Sequence, residues 1–284
     1  MSSGFEVIDS PASQEWVRDY LDLIGGTDDP PSYGALAELM RQQITAIPFE
    51  NLTSIMRRYA HLTEPVPAPN PDELLANWRL KQGGGVCYEL SAMFSRLLKA
   101  LGYDARLVLG QISIPGGHQA IVVELSGECY LVDVGSGSPL FEPIPLGQIV
   151  EVQRAGLGFR FRPGDEDQIW VQDRWLDDAW VQHCRYDLSH ISADVRMAAY
   201  QHHHTPGASW VIGAPRVVRC GQDAVDRMIG DEHTNFSGID KRKERVEGSE
   251  QFAILATDVF GLPAMPVTDA FRAQAEMTAN LTAN

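Results

Sequence analysis

No stretch of this chain approaches the roughly 18 consecutive apolar residues that a membrane helix needs, so a membrane span is not expected. Basic residues are also scarce. Lys and Arg number 23 against 38 Asp and Glu in 284 residues, a net charge of −15 with a pI near 4.9. Such a surface repels polyanions, which argues against nucleic acid or an anionic membrane as partner and requires a local cationic or amide site for any phosphate ligand. The four cysteines (Cys87, Cys129, Cys184, Cys220) are scattered and fit no zinc spacing. The start, "MSSGFEVIDSPASQEW", has neither a basic segment nor an apolar core of the export-signal kind, so free thiols and a cytoplasmic location are expected. Internal repeats and low-complexity segments are absent as well.

What the chain does have is 44% hydrophobic residues, enough for a buried core, and a length suited to two or three small domains. The first 80 or so residues read as helical. Ser10-Pro11 is a cap-and-first-turn signal before Trp16, Val17, Tyr20, Leu21 and Ile24, which share one face. A second helix is expected from about Ser32 to Ile44, ended by Pro48, and a short one from Pro71. From 105 onward "ARLVLGQIS", "HQAIVVEL" and "CYLVDVG" read as strands, the last two joined as a hairpin at Ser126-Gly127-Glu128. "IVEVQRA", "FRFRP" and "QIWVQ" continue a small barrel or sandwich. "WVIGAPRVVRC" reads as a later strand and "PVTDAFRAQAEM" as a weak terminal helix.

The segment "QGGGVCYELSAMFSRLLKALG" (82 to 102) carries the first chemical signal. Leu90, Met93, Phe94, Leu97, Leu98 and Leu101 form the stripe of a buried helix face that stops at Gly102. Cys87 therefore lies in or near the first turn, where the helix dipole favours negative charge and thiolate nucleophiles are found. The plainer reading is a small buried cysteine at a tight junction. A nucleophile needs a base, and the base an orienting group. Counting back from the turn at Gly127 puts His118 and Asp133 within a residue of direct opposition on neighbouring strands. The plainer alternative is a surface histidine and an ordinary strand-end aspartate.

Taken in order, "IPFENLT" (47 to 53), "GGVCYELS" (84 to 91), "HQAIVV" (118 to 123) and "YLVDVGSG" (130 to 137) resemble the signature segments of the arylamine N-acetyltransferase family. "MAAYQHHHTPGASWV" and "FAILATDVFGL" loosely resemble later landmarks, so the likeness runs from about residue 5 to 262. The resemblance implies an α+β fold with an N-terminal helical domain (1–86), a central β-barrel (87–195) and a C-terminal α/β lid (196–284). It implies a papain-like triad of Cys87, His118 and Asp133, and ping-pong transfer of an acyl group from a thioester, usually acetyl-CoA, to an aromatic amine or hydrazine. It further implies substrate contacts at Phe49, Val86 and Ser136, and weak coenzyme contacts at Gly137 and Ser209. No metal and no permanently bound cofactor are expected, acetyl-CoA or another acyl thioester being a co-substrate.

Four departures bear on specificity. Gly83 stands where the family usually has an arginine paired with the glutamate of "PFEN", so Glu50 is expected either to use Arg79 or Lys81 or to be more solvated. Ser91 replaces the usual asparagine. Ser136 replaces a phenylalanine of the acceptor pocket, which should be wider and more polar. The stretch from Cys87 to His118 is short for the family. His202-His203-His204 reads as a loop near the donor's phosphates in preference to a metal site, and "DKRKER" (240 to 245) as a solvated turn or, less simply, a docking patch for an acyl carrier protein.

Three other functions compete with arylamine acetylation: an amide synthase of the same fold taking its acyl chain from a carrier protein, a thiol hydrolase, and a ligand-binding module with an unreactive Cys87.

Overall fold

The structure, a computed structural model, describes residues 13–282; the Ser10-Pro11 signal lies outside them. Two helices open the chain, α1 (Ser13–Ile24) and α2 (Tyr33–Ala46), the latter capped by Ser32, whose Oγ accepts from the Ala35 N–H at 3.1 Å. A two-residue strand β1 (Phe49–Glu50) follows, then α3 (Leu52–Ala60), α4 (Pro71–Arg79) and α5 (Cys87–Ala100). Tyr20, Leu36, Met40, Leu52, Ile55, Trp78, Phe94 and Leu97 are almost fully buried and form the core of this helical part.

Strands β2 (Asp104–Ile112), β3 (Ile114–Leu125), β4 (Glu128–Val132), β5 (Ile144–Pro145), β6 (Val150–Arg154), β7 (Leu157–Pro163), β8 (Ile169–Leu176) and β9 (Ala179–Asp187) make an antiparallel sheet ordered β5-β4-β3-β2-β9-β8-β7-β6. It curls into a nearly closed barrel around Val108, Val122, Leu131, Phe159, Phe161 and Tyr186. The stretch shortened before His118 is a tight β2–β3 connection, with Ile112 paired to Ile114 and Ser113 at φ 66°.

The lid has helix α6 (Ala193–His203), a 3-10 turn (Trp210–Ile212), strands β10 (Arg216–Cys220), β11 (Ala224–Ile229), β12 (Glu232–Ser237) and β13 (Asp240–Arg245), and helices α7 (Gly248–Asp258) and α8 (Val267–Thr282). The sheet order is β1-β10-β11-β12-β13, so β1, from the first 50 residues, is an edge strand of the lid. The segment expected as one strand, "WVIGAPRVVRC", is instead a 3-10 turn followed by β10. The "DKRKER" run is not a turn. It is β13, an exposed edge strand paired along its whole length with β12, its charged side chains protecting the free edge.

Candidate active site

The glycines before Cys87 lie against other backbone. A Cβ on Gly84 would sit 1.8 Å from the Pro48 carbonyl oxygen, so no side chain fits there. Gly85 accepts from the Glu50 N–H at 3.0 Å and bridges Phe49, tying the loop before Cys87 to β1. The first turn of α5 is then held by Glu89. Its carboxylate accepts from the Val86 N–H at 3.2 Å and from Arg57 at 2.7 Å, the reciprocal half of a capping box. Arg57 also reaches the Tyr200 hydroxyl at 3.1 Å.

The three residues singled out from the sequence come together. His118 Nε2 and Asp133 Oδ2 are 2.8 Å apart, both side chains are buried, and the Cys87 thiol lies beside the imidazole, where it helps to raise the ring's pKa. The hairpin register is two residues off direct opposition, not one. Leu125 pairs with Glu128 around a turn of Ser126 (φ 55°) and Gly127 (φ 81°), and Ile121 with Val132, which aligns Asp133, just past β4, with Ala120. An offset of two keeps both side chains on one face, whereas an offset of one would put them on opposite faces.

Electrostatics favour an ion pair. Burial opposes charge on His118, but the Asp133 carboxylate and the contact with Cys87 outweigh it and raise His118 to about 10. Burial likewise opposes charge on Asp133, yet His118, the Tyr186 hydroxyl (2.8 Å) and the Gly135 N–H (3.1 Å) hold it below the usual carboxylate range. Tyr186, on β9, was not singled out from the sequence. Nor were Val66, Tyr88, Leu109 and Tyr200, the apolar surroundings of the thiol.

Glu50 has neither a substitute cation nor solvent. Arg79 pairs with Asp19, and Glu50 is fully buried. Its carboxylate accepts from Gly84 N–H (3.1 Å), Thr53 N–H (3.0 Å) and the Thr53 hydroxyl (2.5 Å); burial nevertheless raises its pKa. Ser91 donates to the Gln119 carbonyl at 2.8 Å. Asn51, of the same "PFEN" motif, donates to the Val211 and Ala214 carbonyls and accepts from the Arg216 N–H, so it joins α3 to the lid.

The remaining sequence candidates occupy varied places. Phe49 is buried between Gly137 and Trp210, with ring centroids 6.1 Å apart. Val86 points into the main core. Ser136 lies one residue from Gly135 and its hydroxyl has no partner among the described residues. Ser209 caps the 3-10 turn, accepting from the Val211 N–H at 3.2 Å, and its Oγ is 2.9 Å from His203 Nδ1. His203 and His204 are buried and held neutral by desolvation, His204 at about 4, while His202 is exposed. Among the described residues no group of His, Cys, Asp and Glu is close enough to hold a metal ion, and no helix is long and apolar enough to cross a membrane.

Comparison with known proteins bears on the family and the fold. The chain is 31% identical over 151 residues to an arylamine N-acetyltransferase of Escherichia coli, covering 50% of each chain. It is 30% identical over 167 residues to proansamycin X synthase of Amycolatopsis mediterranei, covering 56% of this chain and 62% of that one. Matched by sequence, then, the chain spans about half the length of these curated relatives. The fold matches the Mycobacterium marinum arylamine N-acetyltransferase solved in complex with CoA, with a TM-score of 0.78, 23% identity, and coverage of 92% of this chain and 98% of that one. A family model described as N-acetyltransferase matches residues 33–264, more than half of the chain, and with the Cys87, His118 and Asp133 segments all inside that span, the chain belongs to the arylamine N-acetyltransferase family.

Proposed function

We propose that the chain is an acyl-CoA-dependent N-acyltransferase that moves an acetyl group from acetyl-CoA to an arylamine or hydrazine by a ping-pong route through acyl-Cys87. The observation that carries this reading is the buried Cys87–His118–Asp133 line with His118 raised to about 10. An imidazole beside the sulfur is placed to exchange protons with the attacking and leaving groups.

In the first half-reaction the Cys87 sulfur attacks the thioester carbonyl. This reading assigns the developing oxyanion to the N–H groups of Cys87 and Tyr88, which lie in the first turn of α5, where helical partners run out. The C–S bond to coenzyme A breaks, and His118 gives its proton to the departing thiolate. In the second half-reaction the amine attacks acyl-Cys87, His118 takes the amine proton, and the thiolate is released. Asp133, fixed by Tyr186 and Gly135, keeps the imidazole oriented throughout. The division into 1–86, 87–195 and 196–284 belongs to the same reading, with β1 lent by the first part to the lid. So does a cytoplasmic location, which four free cysteines suit.

A second reading, amide synthesis with an acyl chain from a carrier protein, draws on the likeness to proansamycin X synthase and on the small, polar Ser136. One experiment separates the two. Intact-protein mass is measured after incubation with acetyl-CoA and no amine, for wild type and Cys87→Ala. A gain of one acetyl group on wild type alone supports the first reading. No gain on a thiol that still alkylates rapidly at neutral pH favours the second, and a thiol that does neither sinks both.

A further inference from the structure

Three arginines from three strands meet beside the loop that follows Asp133. Arg216 on β10 and Arg227 on β11 are diagonal neighbours on one face of the lid sheet, since Val218 pairs with Arg227 and Arg216 with Ile229. Phe49 pairs with Val218 and shares that face. Gly137 lies against both, a Cβ there being 3.4 Å from Phe49 and 3.5 Å from Val218. Arg174 enters from β8 on the barrel side and donates to the Ser138 hydroxyl at 3.2 Å. Arg227's charge repels both of the others, and burial with that repulsion brings Arg216 down to about 10, which still leaves it cationic at neutral pH.

Gathering like charges costs Coulomb energy, and this chain has acid to spare. Elsewhere Arg160 and Arg162 share Asp173. Yet among the described residues none of Arg174, Arg216 and Arg227 forms an ion pair. The nearest carboxylates are otherwise engaged: Asp133 is held by His118 and Tyr186, and Glu232 pairs with Lys243 at 2.8 Å. The guanidinium groups rest on aromatic faces instead, Arg216 on Trp210 at 4.2 Å, Arg227 on Phe236 at 5.1 Å and Arg174 on Phe159 at 5.8 Å. Stacking leaves their in-plane donors free. Arg174 Nε, Arg216 Nε and Ser136 Oγ are closed to solvent and have no hydrogen-bond partner, an arrangement that native folds rarely leave unanswered.

We propose that Arg174, Arg216 and Arg227, with the hydroxyls of Ser136 and Ser138, form an anion subsite for a carboxylate that a substrate brings to Cys87, carried either by the aryl acceptor or by the acyl group. The proposal rests on the acyltransferase reading above. A carboxylate fits better than the donor's phosphates. Gly135 packs on the Cys87 backbone and Ser136 is the next residue, so the subsite lies a short reach from the sulfur. Arg174 also feels the charge of Asp133, and the carboxylate of an aminobenzoate or of a short dicarboxylic acyl group is only a few bonds from the group that meets the sulfur. The phosphates of coenzyme A are a whole pantetheine arm from the thiol and would have to fold back to enter.

The test starts from equilibrium binding, which needs no turnover. Wild type, Arg227→Gln and Arg174→Gln are titrated calorimetrically with benzoate and with its neutral analogue benzamide. Wild type is expected to favour benzoate at least tenfold, with the preference lost in both variants and partly kept in Arg227→Lys; Arg227 stands apart from the triad, so its variants also guard against a misfolded Arg174→Gln. Equal binding of the two probes by wild type, a preference that survives in both Gln variants, or displacement of benzoate by adenosine 3′,5′-bisphosphate would overturn the proposal. The kinetic arms then locate the carboxylate. Selectivity for 4-aminobenzoate over 4-methylaniline, lost in Arg227→Gln, places it on the acceptor. Selectivity for succinyl-CoA over acetyl-CoA in acylation of Cys87, lost in the same variant, places it on the acyl group. Selectivity in neither refutes the subsite. If Cys87 never acylates while benzoate still binds selectively, the acyltransferase reading fails and the subsite stands.

Discussion

Gly135 stands directly over Cys87: a Cβ on Gly135 would lie 2.7 Å from the Cys87 Cα and 2.8 Å from Ser91 Oγ. The contact sets the distance between the start of α5 and the loop that carries Asp133. It also accounts for a small side chain at position 91.

Gly135→Ala follows from that contact. The backbone at Gly135 is unstrained, so the cost is overpacking, about 1–3 kcal/mol. Displacing the loop also moves the Gly135 N–H off Asp133. Thermal melting should show a folded but less stable protein, while acylation of Cys87 slows far more than the stability loss explains.

Asp133→Asn removes the group that raises His118 and fixes its ring. The expected loss of acyl transfer is roughly 10³- to 10⁴-fold. In the wild type, a histidine raised to about 10 contributes stability that is full below its ordinary pKa of 6.5 and is lost as pH rises through 10. An NMR titration of the His118 ring should therefore show the imidazolium at pH 8 in wild type and the neutral ring in Asp133→Asn. A neutral ring in wild type would contradict the ion pair.

Glu50 has the opposite effect on stability at neutral pH. Its folded pKa is raised by burial, so between its ordinary value and the raised one the folded state binds more protons than the unfolded state. Its contribution is full below the ordinary value of 4.5 and declines as pH rises through the raised value. Melting temperature followed upward from pH 4.5 should carry this downward slope in wild type and lose it in Glu50→Gln. Identical slopes would mean that the three donors on Glu50 outweigh burial.

Arg57→Ala leaves the Glu89 carboxylate buried without its cation. Breaking such a pair costs about 3–5 kcal/mol, read by denaturant unfolding. Because Glu89 also holds the Val86 N–H, alkylation of Cys87 should slow in whatever fraction remains folded.

Much of the site was legible because its signals are local. Glycines into an amphipathic helix place Cys87, and a short turn at Gly127 brings His118 to Asp133. The register error of one residue came from the turn: Leu125 pairs with Glu128 around Ser126-Gly127, and counting from that pair sets Asp133 against Ala120. Tyr186 escaped because β9 is largely exposed at its start, with polar residues that mask the alternation leading to Cys184 and Tyr186. The polarity of "DKRKER" hid a strand held by backbone pairing with β12 and by cross-strand pairs such as Lys243 with Glu232 and Glu244 with His233. The arginine cluster could not be read, since Arg174 joins Arg216 and Arg227 only when barrel and lid meet. Glu50 was misjudged because solvent or a cation was expected, and backbone N–H groups serve instead.

The two residues of β1 also set a timetable. Phe49 and Glu50 pair with β10 and, at Gly85, with the loop before Cys87, while Asn51 is anchored to carbonyls 160 residues or more further along. A growing polypeptide emerges from its N-terminus, so Cys87 leaves the ribosome long before β10 exists to complete its surroundings. Contacts this distant in sequence form late and slowly. The loop before Cys87 therefore gains its full backing, β1 clamped to β10, only after about three-quarters of the chain has been made.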